Sequence, residues 1–145
     1  MAKHFYLATR KDRGNEADAL SAELQAHGWQ RTYAWTALDS TTTEGFAEVA
    51  LKEIAGVRDA DVLIVLLPGG FGTHVEIGAA LALGKPVILH APDARTLETP
   101  YRCVFHHHPG VRMLISENID IATVLACLPQ PVTPCAASPA RNSRA

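Results

Sequence analysis

The sequence lacks an excess of charge of either sign. Lysine and arginine number 13 against 15 aspartates and glutamates, a formal net charge of −2. With no bulk basic field, neither a nucleic-acid polymer nor an acidic membrane surface is an expected partner. A small phosphorylated ligand needs only a few local donors and stays compatible. Cysteine is scarce: Cys103, Cys127 and Cys135 are odd in number, widely spaced and without a C-x-x-C pair. This argues against a disulfide scaffold or a zinc site and fits reduced thiols in the cytoplasm. No apolar stretch approaches the ~20 residues of a membrane span. The opening MAKHFYLATRKDRG has only a short apolar run and no cleavage-site pattern, so no signal peptide is expected. No internal repeat is visible. What is present is a globular balance, 48% apolar and 19% charged over 145 residues. That length predicts one domain with a true core.

Along the chain, strand and helix patterns alternate. HFYLA (4–8) reads as a buried strand. Residues 15–27 follow as a helix with Ala17, Leu20 and Leu24 on one face, stopped by Gly28. RTYAW (31–35) is the predicted second strand, and 44–57 a helix turning Phe46, Val49, Ala50, Ile54 and Val57 inward. DVLIVLL (61–67) is a continuous apolar run, the kind buried on both faces of a sheet. A helix over 73–83, a strand over 86–90, a short fifth strand over 103–106 and a last helix from Ser116 to about Leu128 complete the pattern. The fold class predicted is α/β, a Rossmann-like (flavodoxin-like) three-layer sandwich with a mostly parallel sheet of about five strands. Residues 1–128 form the expected domain, and 129–145, rich in proline and small residues, a disordered tail.

In such sheets ligands bind beyond the carboxyl ends of the strands. Three loops leave those ends, at 9–14, 35–43 and 68–73. The last, PGGFGT, is neither a Walker loop nor G-x-G-x-x-G. Gly69, Gly70 and Gly72 permit a tight turn and a close ligand, and the N–H groups of the following helix can hold an anion. Glu76 carries two readings. Thr73-His-Val-Glu76 matches a capping box, in which both side chains satisfy free backbone N–H groups. A carboxylate in a first helical turn also sits at the positive end of the dipole, which favours the ionised form a nucleophile needs. Arg10, Lys11 and Arg13 form a basic cluster in the first loop, either solvated or phosphate-binding. Glu53 alone reads as a solvated helix residue, and Asp61 as a strand-opening cap. Tyr33 and Trp35 are core or rim residues first and base-stacking surfaces second. His106 to His108 suggest a metal, but consecutive residues rarely converge on one ion, and no acid or cysteine completes the set; no metal site is expected.

These residues resemble a family. YLATRKDR, KEIAGVRDADVLIVLL and EIGAALALGKPVIL, over roughly residues 4–90, are similar to the nucleoside 2-deoxyribosyltransferases. That superfamily includes the 2′-deoxynucleoside 5′-phosphate N-hydrolases. PGGFGTHVE also resembles the PGG-x-GT-x-x-E motif of the lysine-decarboxylase-like phosphoribohydrolases, which are usually longer before the motif. Both resemblances imply cleavage of an N-glycosidic bond. The first implies that Glu76 is the nucleophile, that Glu53 stands where an acid, usually aspartate, meets the departing base, and that Tyr6 matches the tyrosine of the opening strand. The transferases often carry another acid six residues before the nucleophile. Gly70 stands there, a departure that favours hydrolysis of a nucleotide over deoxyribosyl transfer.

The expectation is therefore an N-glycosidase acting on a (deoxy)nucleoside or its 5′-monophosphate. Glu76 forms a glycosyl ester that water or a second base resolves, and Glu53 protonates the leaving base. Thr9, Arg10, Arg13, Gly69, Gly70, Gly72 and Thr73 bind sugar or phosphate. No cofactor is required. The resemblance also implies a homodimer or higher oligomer whose partner subunit closes the pocket. The competing expectations are a nucleotide-binding sensor without catalysis and a ribonucleotide phosphoribohydrolase.

Overall fold

The computed structural model describes residues 3–37, 40–100 and 102–129. Of the tail expected over 129–145, everything beyond Pro129 lies outside the described residues, Cys135 included. Five parallel strands form one sheet in the order β2-β1-β3-β4-β5, with β1 at Lys3–Ala8, β2 at Trp29–Arg31, β3 at Val62–Leu66, β4 at Val87–Ala91 and β5 at Val111–Ile115. Among the described residues, four α-helices connect or follow them: α1 at Gly14–Ala26, α2 at Thr43–Asp59, α3 at Phe71–Ala82 and α4 at Ile121–Cys127. This is the flavodoxin-like α/β sandwich that the sequence predicts.

Side-chain alternation along β1 divides the core. Phe5 and Leu7 point to the layer of Ala17, Leu20 and Leu24 on α1 and Val124 on α4. Tyr6 and Ala8 point to the opposite layer, with Val57 on α2 and Ile77 and Ala80 on α3. β3 lies at the centre, paired to β1 and β4, and all five of its residues are buried. That is why its sequence is unbroken by polar residues. Asp61, just before it, accepts the His4 backbone N–H at 2.8 Å and ties β3 to the start of β1.

Several expected boundaries move. The second strand begins at Trp29, directly after the left-handed turn at Gly28 (φ 85°). Trp29 is buried against α1, so the chain enters the sheet at once, and Tyr33 and Trp35 fall beyond the strand. Residues 103–106 are not a strand: Val104–His107 is a 3₁₀ turn with Val104 and Phe105 exposed, and the fifth strand is Val111–Ile115. The last helix starts at Ile121, capped by the Asp120 carboxylate on Thr123 N–H, not by Ser116. On α2 only Val57 of the five residues expected inside is fully buried; Phe46 and Ile54 remain 60% and 42% exposed.

Candidate active site

β1 and β3 are neighbours whose chains leave the sheet in opposite directions, to α1 on one face and α3 on the other. At such a switch point the two loops diverge and leave a crevice. Ala8 is level with Val65, so both loops emerge together. The Thr9 hydroxyl donates to the Leu66 carbonyl at 2.7 Å and pins them. A cavity of about 610 Å³ opens here, within the size range of small-molecule sites. All three loops singled out from the sequence reach it, through Thr9 and Arg10, Trp35 and Ser40, and Gly70, Gly72 and Thr73.

Glu76 lies at its inner end and is 5% exposed. The capping-box reading fails on helix register. α3 starts at Phe71, two residues earlier than expected, with Gly70 as its N-cap. Thr73 is thus the N3 residue, and its hydroxyl accepts the Gly70 N–H at 3.2 Å. Glu76 is in the second turn, facing the sheet. Its Oε1 accepts the Tyr6 hydroxyl at 2.5 Å, a bond that strand alternation and α3 register jointly produce. The expected dipole effect also yields, because it fades beyond the first turn. Burial pushes the Glu76 carboxyl up to about 8; the Tyr6 bond works against this, and the negative charge of Glu53 adds to it. Burial, then the Glu76 charge and hydrogen bond, drives the Tyr6 phenol strongly upward, so it remains a proton donor in this bond.

Glu53 is not a plain surface residue. It faces the cavity from α2 beside Phe46, Val49 and Ala50. Its carboxyl too is raised by burial. Two carboxyls whose protons are held above the usual range therefore share one cavity.

The rim is mixed. A Cβ on Gly70 would meet only Arg10 Cγ at 3.9 Å, and one on Gly72 nothing within 4 Å, so bare backbone is open to a ligand there. Gly69 does not line the cavity; a Cβ there would strike the Thr73 side chain at 2.6 Å, so its bareness serves the turn. Arg10 lines the cavity while forking onto Asp12 at 3.0 Å through both nitrogens. Arg13 does not line it. Its guanidinium is drawn to the Leu67 carbonyl and to Glu16, beside a second recess that His90 also borders. Lys11, from the same cluster, reaches the cavity together with Arg10.

Trp35 forms an apolar wall, held by its indole N–H donating to the Leu7 carbonyl at 2.7 Å. Tyr33 packs instead against the core beside α2. Sequence patterns had not marked Ser40 or Thr36, which also line the cavity; hydroxyls in a hydroxyl-rich loop carry no positional signal. The three consecutive histidines do not converge. His106 meets His74 and Cys103 instead, while His108 accepts the Gly110 N–H.

Residues 4–123 match the family model described as nucleoside 2-deoxyribosyltransferase. No curated protein matches the chain. Among solved structures it is similar to the Clostridium botulinum CMP N-glycosidase BcmB, with a TM-score of 0.63 and 22% identity, covering 87% of this chain and 100% of that one. BlsM, known from a solution structure, gives 0.60 and 21% over 85% of each chain. A 2-deoxyribosyltransferase from Bacillus psychrosaccharolyticus gives 0.55 and 20%, over 83% of this chain and 95% of that one. At these identities the structural likeness concerns the fold.

Proposed function

Because the chain belongs to the nucleoside 2-deoxyribosyltransferase family, we propose that it cleaves the N-glycosidic bond of a nucleoside 5′-monophosphate or (deoxy)nucleoside, with Glu76 as nucleophile. The observation that carries this reading is the buried Tyr6–Glu76 pair at the inner end of the switch-point cavity. Tyr6 occupies one oxygen of Glu76, which leaves the other to attack C1′. The new C–O bond forms as the C1′–N bond breaks. The base leaves with the bonding electrons and takes a proton from Glu53. Water, or a second base, then attacks C1′. The ester releases Glu76 as a carboxylate, and Glu53 recovers a proton. The productive state has Glu76 ionised and Glu53 protonated. The Tyr6 bond favours the charge on Glu76 against the effect of burial, and burial holds the Glu53 carboxyl above its usual range.

A 5′-phosphate fits the outer rim. The first N–H groups of α3 and the open backbone at Gly70 and Gly72 suit an anion, and Arg10 and Lys11 supply positive charge. Trp35 offers a flat apolar surface for the base. The lack of an acid at position 70 favours water over a second base as acceptor. We place the enzyme in the cytoplasm, whose reducing conditions suit the free thiols of Cys103 and Cys127.

The test is incubation with ribo- and deoxyribonucleosides and their 5′-monophosphates, with chromatography for free base. Release of base from one class supports the reading, and the sugar of that class decides between deoxyribonucleotide and ribonucleotide. Arg10→Ala is expected to weaken the monophosphate about ten- to a hundredfold, as for a lost charge-assisted contact, and to spare the nucleoside. Binding with no release of base from any substrate makes the protein a nucleotide sensor.

A further inference from the structure

We propose that His74, Cys103 and His106 form a binding site for a borderline-soft divalent transition-metal ion of the zinc type. One donor atom from each lies within 4.8 Å of the other two. None of the three lines the cavity, so the site is separate from the one that holds Glu76. His74 Nε2 is 2.9 Å from His106 Nε2. Two nitrogens on a tetrahedral zinc, each at ~2.0–2.1 Å, stand ~3.3 Å apart, so an ion entering here spreads the rings by only a few tenths of an ångström.

The orientation of each ring suits ligation. His74 Nδ1 is 2.7 Å from the Gly70 carbonyl. The proton must sit on Nδ1 to make that bond, which turns a lone pair on Nε2 toward His106 and Cys103. A backbone carbonyl holding the far nitrogen is the usual support of a metal-binding histidine. His106 is 4% exposed, and its Nδ1 has no hydrogen-bond partner among the described residues. Burial holds the ring in place, with Nε2 turned to the other two donors. Two imidazoles and a thiolate are a zinc-type donor set and leave a fourth position for water or an outside ligand. On binding, Cys103 gives up its proton to solvent and the site gains net positive charge.

Position gives the site a consequence. Cys103 caps the 3₁₀ turn that carries His106, and His74 is in the first turns of α3. The ion would clasp these two segments together. Through the Gly70 carbonyl it would also fix the glycine turn at the cavity rim.

The experiment uses the untagged full chain, reduced and stripped with chelator, titrated with Co²⁺ as a visible probe. One equivalent per chain is expected, with tetrahedral ligand-field bands and a thiolate-to-cobalt charge-transfer band, all displaced by one equivalent of Zn²⁺. Cys103→Ser should abolish the charge-transfer band. His74→Gln and Cys103→Ser should each weaken zinc at least about tenfold, the loss that even an outer support of a ligand causes. Melting followed by circular dichroism checks that both remain folded. Zinc should raise the melting temperature of the native chain but not of Cys103→Ser. Cys127→Ser, Cys135→Ser and His108→Ala should bind as the native chain does. Absence of stoichiometric binding overturns the proposal. So does a thiolate band that survives Cys103→Ser, or one that disappears with Cys127→Ser or Cys135→Ser.

Discussion

Glu76 shows how one side chain meets opposed demands. As the proposed nucleophile it must be ionised, yet burial favours its neutral form, and the phenol of Tyr6 offsets only part of that cost. Folding therefore binds a proton that the unfolded chain has lost. The folded carboxyl is raised from 4.5 to about 8, so stability is fullest below 4.5 and declines as pH rises toward 8. At about 1.4 kcal/mol per pKa unit, the penalty reaches a few kcal/mol. Glu76→Gln keeps the Tyr6 bond and removes the charge. It should fold, bind ligand, lose turnover by several orders of magnitude, and melt above the native protein at pH 8. That advantage should vanish near pH 4.5, as thermal melts across pH would show; equal melting at both pH values would remove the buried-charge argument. The pair adds a kinetic signature. Glu76 must be ionised and Glu53 protonated, so kcat/KM should be bell-shaped, with Glu76 ionising on the acidic limb and Glu53 losing its proton on the alkaline one. In Glu53→Gln the rate should drop and the alkaline limb should disappear, because the only remaining requirement is an ionised Glu76.

Helix placement decides which side chains meet. α2 crosses Tyr6 at Gly56, where a Cβ would sit 2.9 Å from two ring carbons of Tyr6 and 2.9 Å from Tyr33 Cβ. Alanine is the better helix former by about 1 kcal/mol, but overpacking a core usually costs about 1–3. Since Tyr6 is fully buried and cannot swing aside, the clash should win. Gly56→Ala is expected to melt lower and to lose activity through a displaced Tyr6. A variant with raised melting temperature and native turnover would show that α2 has slack. Much at this scale was legible in the sequence. Apolar runs and helical spacing marked β1, β3, β4 and α1, and the three ligand loops followed from strand polarity. Other features were not legible, for physical reasons. T-x-x-E and G-x-x-T overlap at Thr73, and only the backbone chooses between them. β5 is an edge strand of partly exposed residues with Arg112 inside it, so it has no strong apolar signal, whereas Val104 and Phe105 do and yet lie at the surface. Contacts between distant segments, such as His74 with His106, leave no local trace at all.

At the scale of the whole molecule, α2 presents an incomplete face. Phe46 and Ile54 belong to its apolar stripe but remain exposed, next to Glu53 and the cavity. A second copy of the chain is the occupant we propose, completing the cavity wall as it covers the stripe. Size-exclusion chromatography with light scattering should report a homodimer or larger assembly. Ile54→Glu should shift it toward monomer and raise KM, because the cavity wall that α2 forms loosens with the contact. A native chain that is fully active as a monomer would leave the α2 face without this role. A last consequence follows from the position of β3, flanked on both sides and buried along its whole length. Amide hydrogens there should exchange with solvent only through global opening, while β2 and β5 at the margins fray with less free energy. The glycine turn follows directly on β3 and leads into α3, which carries Glu76. Thermal inactivation should then track complete unfolding and not precede it, and exchange followed by mass spectrometry should find the deepest protection in β3.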